Sequence, residues 1–133
     1  MLKIAAIGTV ADVVDLSTPE NRAIVSFGLK GLQSGVHVPG LRALLDVSGL
    51  QGQISSSDLG FKLGPRINAA GRLAQATSVI ELFDERDPAA ARAKAQALDD
   101  LNRERQQIQH RLVSECLDAL PDPAPAFVTL WGQ

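Results

Sequence analysis

Apolar positions recur along most of this chain with the spacing of a helix face, and breaks of Gly, Pro and small polar residues divide it into successive segments. Residues 2 to 14 are apolar on nearly every side, so periodicity does not separate a buried helix from a buried strand; we read a helix there. Ser17-Thr18-Pro19-Glu20-Asn21 is a turn signal, after which Ala23, Ile24, Phe27, Leu29 and Leu32 form one stripe of an amphipathic helix that ends at Gly35. Val38-Pro39-Gly40 breaks the chain, and Leu41, Leu44 and Leu45 mark a further short helix running to Val47, with Gly49 beyond its end. Ser55-Ser56-Ser57-Asp58 offers N-caps ahead of Leu59, Phe61 and Leu63, whereas Gly64-Pro65 predicts an interruption or kink. Val79, Ile80, Leu82 and Phe83 place a helix over residues 77 to 83.

Asp87-Pro88 is the strongest signal: an N-cap residue followed by proline at the first helical position opens a run without Gly or further Pro to Leu120. A helix of that length would span roughly 50 Å. Its apolar stripe, Ala91, Ala97, Leu98, Leu101, Ile108, Leu112, Cys116 and Leu120, is narrow, and Asn102 to Gln107 predicts a solvated middle. Pro121-Asp122-Pro123-Ala124-Pro125 is a stiff linker, and residues 126 to 131 read as the start of a buried strand. Both ends read as cut from a larger fold. The fold class is therefore mainly α, with one candidate strand near Phe127 to Trp131.

Composition narrows the function classes. Of the 133 residues 45 % are apolar but only 4 % aromatic, so the core must be built from Leu, Ala, Val and Ile. A formal net charge of −2 gives no global basic field, so any nucleic-acid contact must be local. One cysteine, Cys116, excludes an internal disulfide and a thiolate zinc cluster and, with no signal-peptide pattern, suits a reducing cytoplasm. Charges interrupt every apolar run before it reaches membrane-spanning length, which predicts no membrane partner.

Two places carry candidate chemistry. Asp12 sits among Val10, Ala11, Val13 and Val14, where a buried carboxylate needs a cation or donors. It is either a ligand for a hard cation such as Mg²⁺ or Mn²⁺, or a helix cap or surface acid. Arg66 and Arg72 flank Ile67-Asn68-Ala69-Ala70-Gly71. Guanidinium forks and the Asn68 amide can grip phosphates, while the small residues allow close approach of a ligand; equally, arginines beside small residues pin one helix to another through carbonyls or carboxylates. Arg103, Arg105 and Arg111 are diluted by Glu104 and by the acids at Asp99, Asp100 and Glu115, and read as a solvated face. His37, His110 and Cys116 have no partner in sequence that would make them catalytic.

Gly8-Thr9-Val10-Ala11-Asp12-Val13-Val14 resembles the fourth motif of the DHH phosphoesterase superfamily in its RecJ form, in which the aspartate is a ligand of the active-site divalent metals. The RecJ pattern usually has Pro where this chain has Asp15. Leu63-Gly64-Pro65-Arg66-Ile67-Asn68-Ala69-Ala70-Gly71-Arg72-Leu73 resembles the RecJ segment between the catalytic and second domains that grips the DNA strand, and Leu101-Asn102-Arg103-Glu104-Arg105 is similar to the family's long connecting helix. The resemblance runs nearly end to end and implies an internal part of an α/β two-domain enzyme. Residues 1–50 would be the C-terminal part of a DHH catalytic domain and 51–86 an inter-domain substrate-channel segment. Residues 87–120 would be the connecting helix, and 121–133 a linker and first strand of a DHHA1 domain.

The implied whole enzyme is a 5′-to-3′ exonuclease specific for single-stranded DNA, dependent on Mn²⁺ or Mg²⁺ and used in DNA repair and recombination, with helicase or single-strand-binding protein as partners. Asp12 would be one metal ligand, and Arg66, Asn68 and Arg72 one wall of the strand path. The upstream aspartate-rich and Asp-His-His motifs are absent from the chain, so the resemblance implies no complete active site and no activity for the chain alone. Two other readings stand beside this one: an oligonucleotide or cyclic-dinucleotide phosphodiesterase of the same superfamily, and a non-catalytic helical interaction module.

Overall fold

In the computed structural model, the described residues are 1–72, 76–121 and 127–129, with the side chains of Arg72 and Ala76 outside the description. They form helices α1 (Leu2–Ala11), α2 (Pro19–Gln33), α3 (Pro39–Val47), α4 (Ser56–Asp58), a π-helical segment (Leu59–Leu63), α5 (Gly64–Arg72), α6 (Ala76–Asp84) and α7 (Pro88–Asp118). The fold is mainly α, and the described residues contain no strand. Of the candidate strand, Phe127 to Thr129 adopt no regular structure, and Leu130 and Trp131 lie outside the described residues. The chain divides into two units, Met1–Asn102 and Arg103–Gln133.

The first unit is built around Ile7, Leu32, Leu41, Leu44, Leu59, Leu63, Leu82, Ala91, Ala95 and Leu98. Its helices come close where glycine removes a side chain. A Cβ on Gly28 would overlap that of Ala6, which is how α2 lies tightly along α1, and a Cβ on Gly40 would overlap the Leu82 carbonyl of α6. Pro19 and Pro39 each open a helix at the first position, where the missing N–H costs no hydrogen bond.

The ends of α1 and α3 share one closing geometry. At α3, the Leu50 N–H reaches back to Leu45 O at 2.9 Å and the Gly49 N–H to Asp46 O at 3.0 Å, with Gly49 at φ 68°. This is the Schellman arrangement, in which the residue after the cap is left-handed and usually glycine. At α1, the Val14 N–H bonds Thr9 O at 3.2 Å and the Val13 N–H bonds Val10 O at 3.1 Å, but the left-handed residue is Val13, at φ 54°. A β-branched side chain there is strained.

The interruption expected at Gly64-Pro65 takes the form of a π-helical segment just before it, and the chain does not leave the helix. Ser55 closes a capping box with Asp58, its hydroxyl accepting from the Asp58 N–H at 3.2 Å and its own N–H donating to Asp58 Oδ2 at 2.9 Å. From there the chain stays helical to Arg72. Proline lacks an N–H and its ring clashes with the carbonyl four residues back. The π-helical turn accommodates this by shifting the pairing, so that the Gly64 N–H bonds Leu59 O, five residues earlier.

Asp87 caps α7, its Oδ2 accepting from the Ala90 N–H at 2.7 Å. The buried face of α7 in the first unit is Ala91, Ala95, Leu98, Asp99 and Asn102. It differs from the expected stripe in two ways. Ala97 is exposed and Ala95 takes its place, because a helical face that starts at Ala91 continues at i+4, i+7, i+8 and i+11. Two polar residues share that face: Asp99 and Asn102 are 2 % and 3 % exposed. In the second unit, Arg103, Glu104, Gln106 and Gln107 are exposed, as the polar run predicts, and so are Ile108, Val113 and Leu117.

Candidate nucleic-acid and metal-binding site

Asp12 caps the C-terminal end of α1, where its N–H bonds Gly8 O at 2.9 Å. It is exposed, so the burial anticipated from its apolar neighbours does not arise; Val13 and Val14 are exposed with it, and Val10 and Ala11 are half-buried. The carboxylate has no hydrogen-bond or ion-pair partner among the described residues and sits at the negative end of a helix, where an anion is unfavourable. Next to it is the strained Val13. A cation would relieve the charge. Among the described residues, however, no group of three or more His, Cys, Asp or Glu side chains could hold a metal ion. Asp12 offers one hard oxygen ligand, and a divalent cation with six or more oxygen positions requires others.

The end of α1 lies against the start of α5. A Cβ on Gly64 would stand 3.1 Å from the Ala11 Cβ, and one on Gly60 would stand 3.5 Å from Val10 Cγ1. The fold thus brings the segment that carries Asp12 to the segment that carries Arg66 and Asn68.

Within α5 the three polar candidates do not act alike. Arg66 is turned inward: Nε and Nη2 both donate to Asp99 Oδ1, at 2.8 and 2.7 Å, and Nη1 donates to the Lys62 carbonyl at 2.6 Å. Its side chain is 16 % exposed. Asn68, two residues on, is rotated by about 200° and is exposed. Position 72 lies one turn beyond position 68 and shares its face; the Arg72 side chain is outside the described residues. Ala69 and Ala70 are fully buried, so they serve the packing of α5 against its neighbours and do not admit a ligand. Gly71 alone of the small residues faces open space.

Asp99 is the residue that the sequence reading missed, having been grouped with acids that dilute a solvated face. The signal was present in the spacing, since position 99 falls at i+8 from Ala91, on the same face as Ala95, Leu98 and Asn102.

Other ionisable groups sit away from these residues. His37 lies beside Lys3, whose Nζ is 3.2 Å from its Nδ1; partial burial, and then the charges of Lys3 and Arg42, lower its pKa and favour the neutral ring. Glu85 is held down to about 2, chiefly by its hydrogen bond from Lys94 at 2.8 Å. No helix among the described residues is long and apolar enough to cross a membrane.

No family model matches the chain. Individual relatives do. The single-stranded-DNA-specific exonuclease RecJ of Dickeya dadantii is 46 % identical over 100 % of the chain, and that of Escherichia coli strain K12 is 41 % identical over 100 % of it. The chain spans 25 % of the length of each. Among solved structures, RecJ from Thermus thermophilus in complex with Mg²⁺ superposes with a TM-score of 0.78 at 36 % identity, covering 90 % of this chain and 19 % of that one. An exonuclease RecJ bound to manganese superposes at 0.77 with 33 % identity, covering 90 % of this chain and 30 % of that one. Sequence and fold agree along the chain, which is homologous, end to end, to one segment of the RecJ-type single-strand-specific exonucleases.

Proposed function

We propose that this chain works as the corresponding segment of a metal-dependent exonuclease that digests single-stranded DNA from the 5′ end in repair and recombination. The observation that carries this reading is the 46 % identity, over the whole chain, to the single-stranded-DNA-specific exonuclease RecJ of Dickeya dadantii. In this role Asp12 supplies one carboxylate to a Mn²⁺ or Mg²⁺ site completed by groups outside the described residues. Alone, the chain does not turn over substrate. Such a metal, held in part by Asp12, would supply Lewis-acid chemistry at a phosphate and an activated water.

The chain's own residues hold and present the strand. Asn68 and Arg72, on one face of α5, donate to phosphate oxygens, and Gly71 between them leaves room for the backbone to approach. Arg66 belongs to the same wall, but most of its donors are spent inside the protein, and it acts on the strand through the placement of α5. The four segments are 1–50 from the catalytic domain, 51–86 as the channel segment, 87–120 as the connecting helix and 121–133 as the entry to a second domain. The reading extends to a cytoplasmic setting and to helicase or single-strand-binding protein as partners.

The test is a chimeric exonuclease in which this chain replaces the aligned segment of the Dickeya dadantii relative, assayed on 5′-phosphorylated single-stranded DNA with Mn²⁺. Asp12→Asn should lower kcat on the order of 100-fold or more. Arg72→Ala and Asn68→Ala should each raise KM about tenfold with a smaller effect on kcat. A chimera that is inactive, or whose activity ignores all three substitutions, would sink the assignment.

A further inference from the structure

We infer that Asp99 is a positioning residue for strand binding, acting through Arg66 to fix the rotation of α5; this rests on the proposal that α5 contacts the strand. The case begins with the contacts of that helix. Ala69 and Ala70 are fully buried but small, and a surface of methyl groups has little shape with which to resist rolling. Ile67 is only partly buried. Upstream, the π-helical segment holds about one residue more than an α-helix would, so the residues of α5 do not face where an unbroken α-helical count from α4 would put them.

The Arg66–Asp99 pair supplies direction. Two N–H groups of one planar guanidinium converge on Oδ1 of a carboxylate that is 2 % exposed, and the third nitrogen is held by the Lys62 carbonyl. Such a pair tolerates little rotation of the helix that carries it. With Arg66 held toward α7, position 68 lies about 200° away around α5, and position 72 comes one turn after it along the helix. A charge buried on a long helix is a costly way to stabilise a fold but an effective way to specify one arrangement. Asp99 therefore never touches the strand, yet sets the angle at which Asn68 and position 72 meet it.

The experiment uses the chimera with Arg66→Met and Asp99→Leu combined, because either change alone breaks a largely buried ion pair and confounds folding with function. The double variant fills the same space with apolar groups and should retain the parent's thermal midpoint. Kinetics are read well below both midpoints. The expected result is a rise of about tenfold in KM for single-stranded DNA with kcat nearly unchanged. Asn68→Ala, measured in parallel, separates the two claims. If Asn68→Ala raises KM and the double variant does not, the pair only ties helices together and the positioning role is overturned, while the strand-binding role of α5 stands. If neither changes KM, strand binding by α5 fails and the positioning role fails with it.

Discussion

The guanidinium of Arg66 meets the carboxylate of Asp99 at 2.7 and 2.8 Å, joining two helices whose partners lie 33 residues apart in the chain. Removing Asp99 takes its carboxylate from a guanidinium that is only 16 % exposed and leaves it the Lys62 carbonyl. Asp99→Ala should therefore cost about 3–5 kcal/mol, whereas Arg66→Met combined with Asp99→Leu, which replaces both charges by apolar side chains, should be nearly neutral. Urea unfolding of the chain measures both. Similar losses in the single and double variants would show that the pair is not coupled as described.

Val13 occupies the left-handed position of the Schellman closure of α1, where Gly49 occupies it at α3. Val13→Gly should raise stability by about 1 kcal/mol through relief of that strain, and Gly49→Val should lower it by about 1–2 kcal/mol. The thermal midpoints of the two variants should move in opposite directions. Movement in the same direction would mean that the two helix ends are not equivalent.

Glycines at two sites should respond oppositely to alanine. A Cβ on Gly40 meets the backbone carbonyl of Leu82, which cannot swing aside, so Gly40→Ala should cost about 1–3 kcal/mol. Gly8, inside α1, has nothing within 4 Å of a Cβ, and Gly8→Ala should add about 0.5–1 kcal/mol through helix propensity. Denaturant midpoints distinguish the cases.

Acid should weaken the fold in two stages of the same sign. The pKa of His37 is lowered by burial and by Lys3 and Arg42, so its neutral form contributes stability that is present above 6.5 and lost as pH falls toward its folded value. Glu85, lowered from 4.5 to about 2, contributes stability present above 4.5 and lost as pH falls through about 2. Lys94, raised above 10.5, works in the opposite sense: its contribution is present below 10.5 and lost as pH rises through its folded value. Urea midpoints followed from pH 8 downward should decline first near 6.5, and His37→Gln should remove that first decline. A midpoint that stays level between 7 and 5.5 in the parent would contradict the assignment.

Much of the helical frame is legible in the sequence because its signals are local. Pro19, Pro39 and Asp87-Pro88 open helices, Gly35 and Gly49 follow their ends, and Ser55 with Asp58 caps α4. The family resemblance and the mainly α fold could be read for the same reason. What could not be read depends on partners distant in the chain. Gly64-Pro65 has the local chemistry of a break, but the π-helical turn keeps that segment helical. Asp99 looks like a surface acid until Arg66, contributed by another helix, explains its burial. The alanines beside Asn68 look like room for a ligand until the surrounding helices are placed against them. Asp12 looks buried by its neighbours, yet the turn at Val13 leaves it facing outward.

The π-helical segment from Leu59 to Leu63 amounts to about one residue more than an α-helix would use over the same span. A helix with a surplus residue is sensitive to counting. Deleting a single residue there would restore regular pairing and bring the Pro65 ring against the carbonyl four residues back. Substitutions at exposed sites such as Phe61 leave the count intact and should be borne readily, whereas a one-codon deletion in the same few residues removes the wide turn that lets the helix carry Pro65.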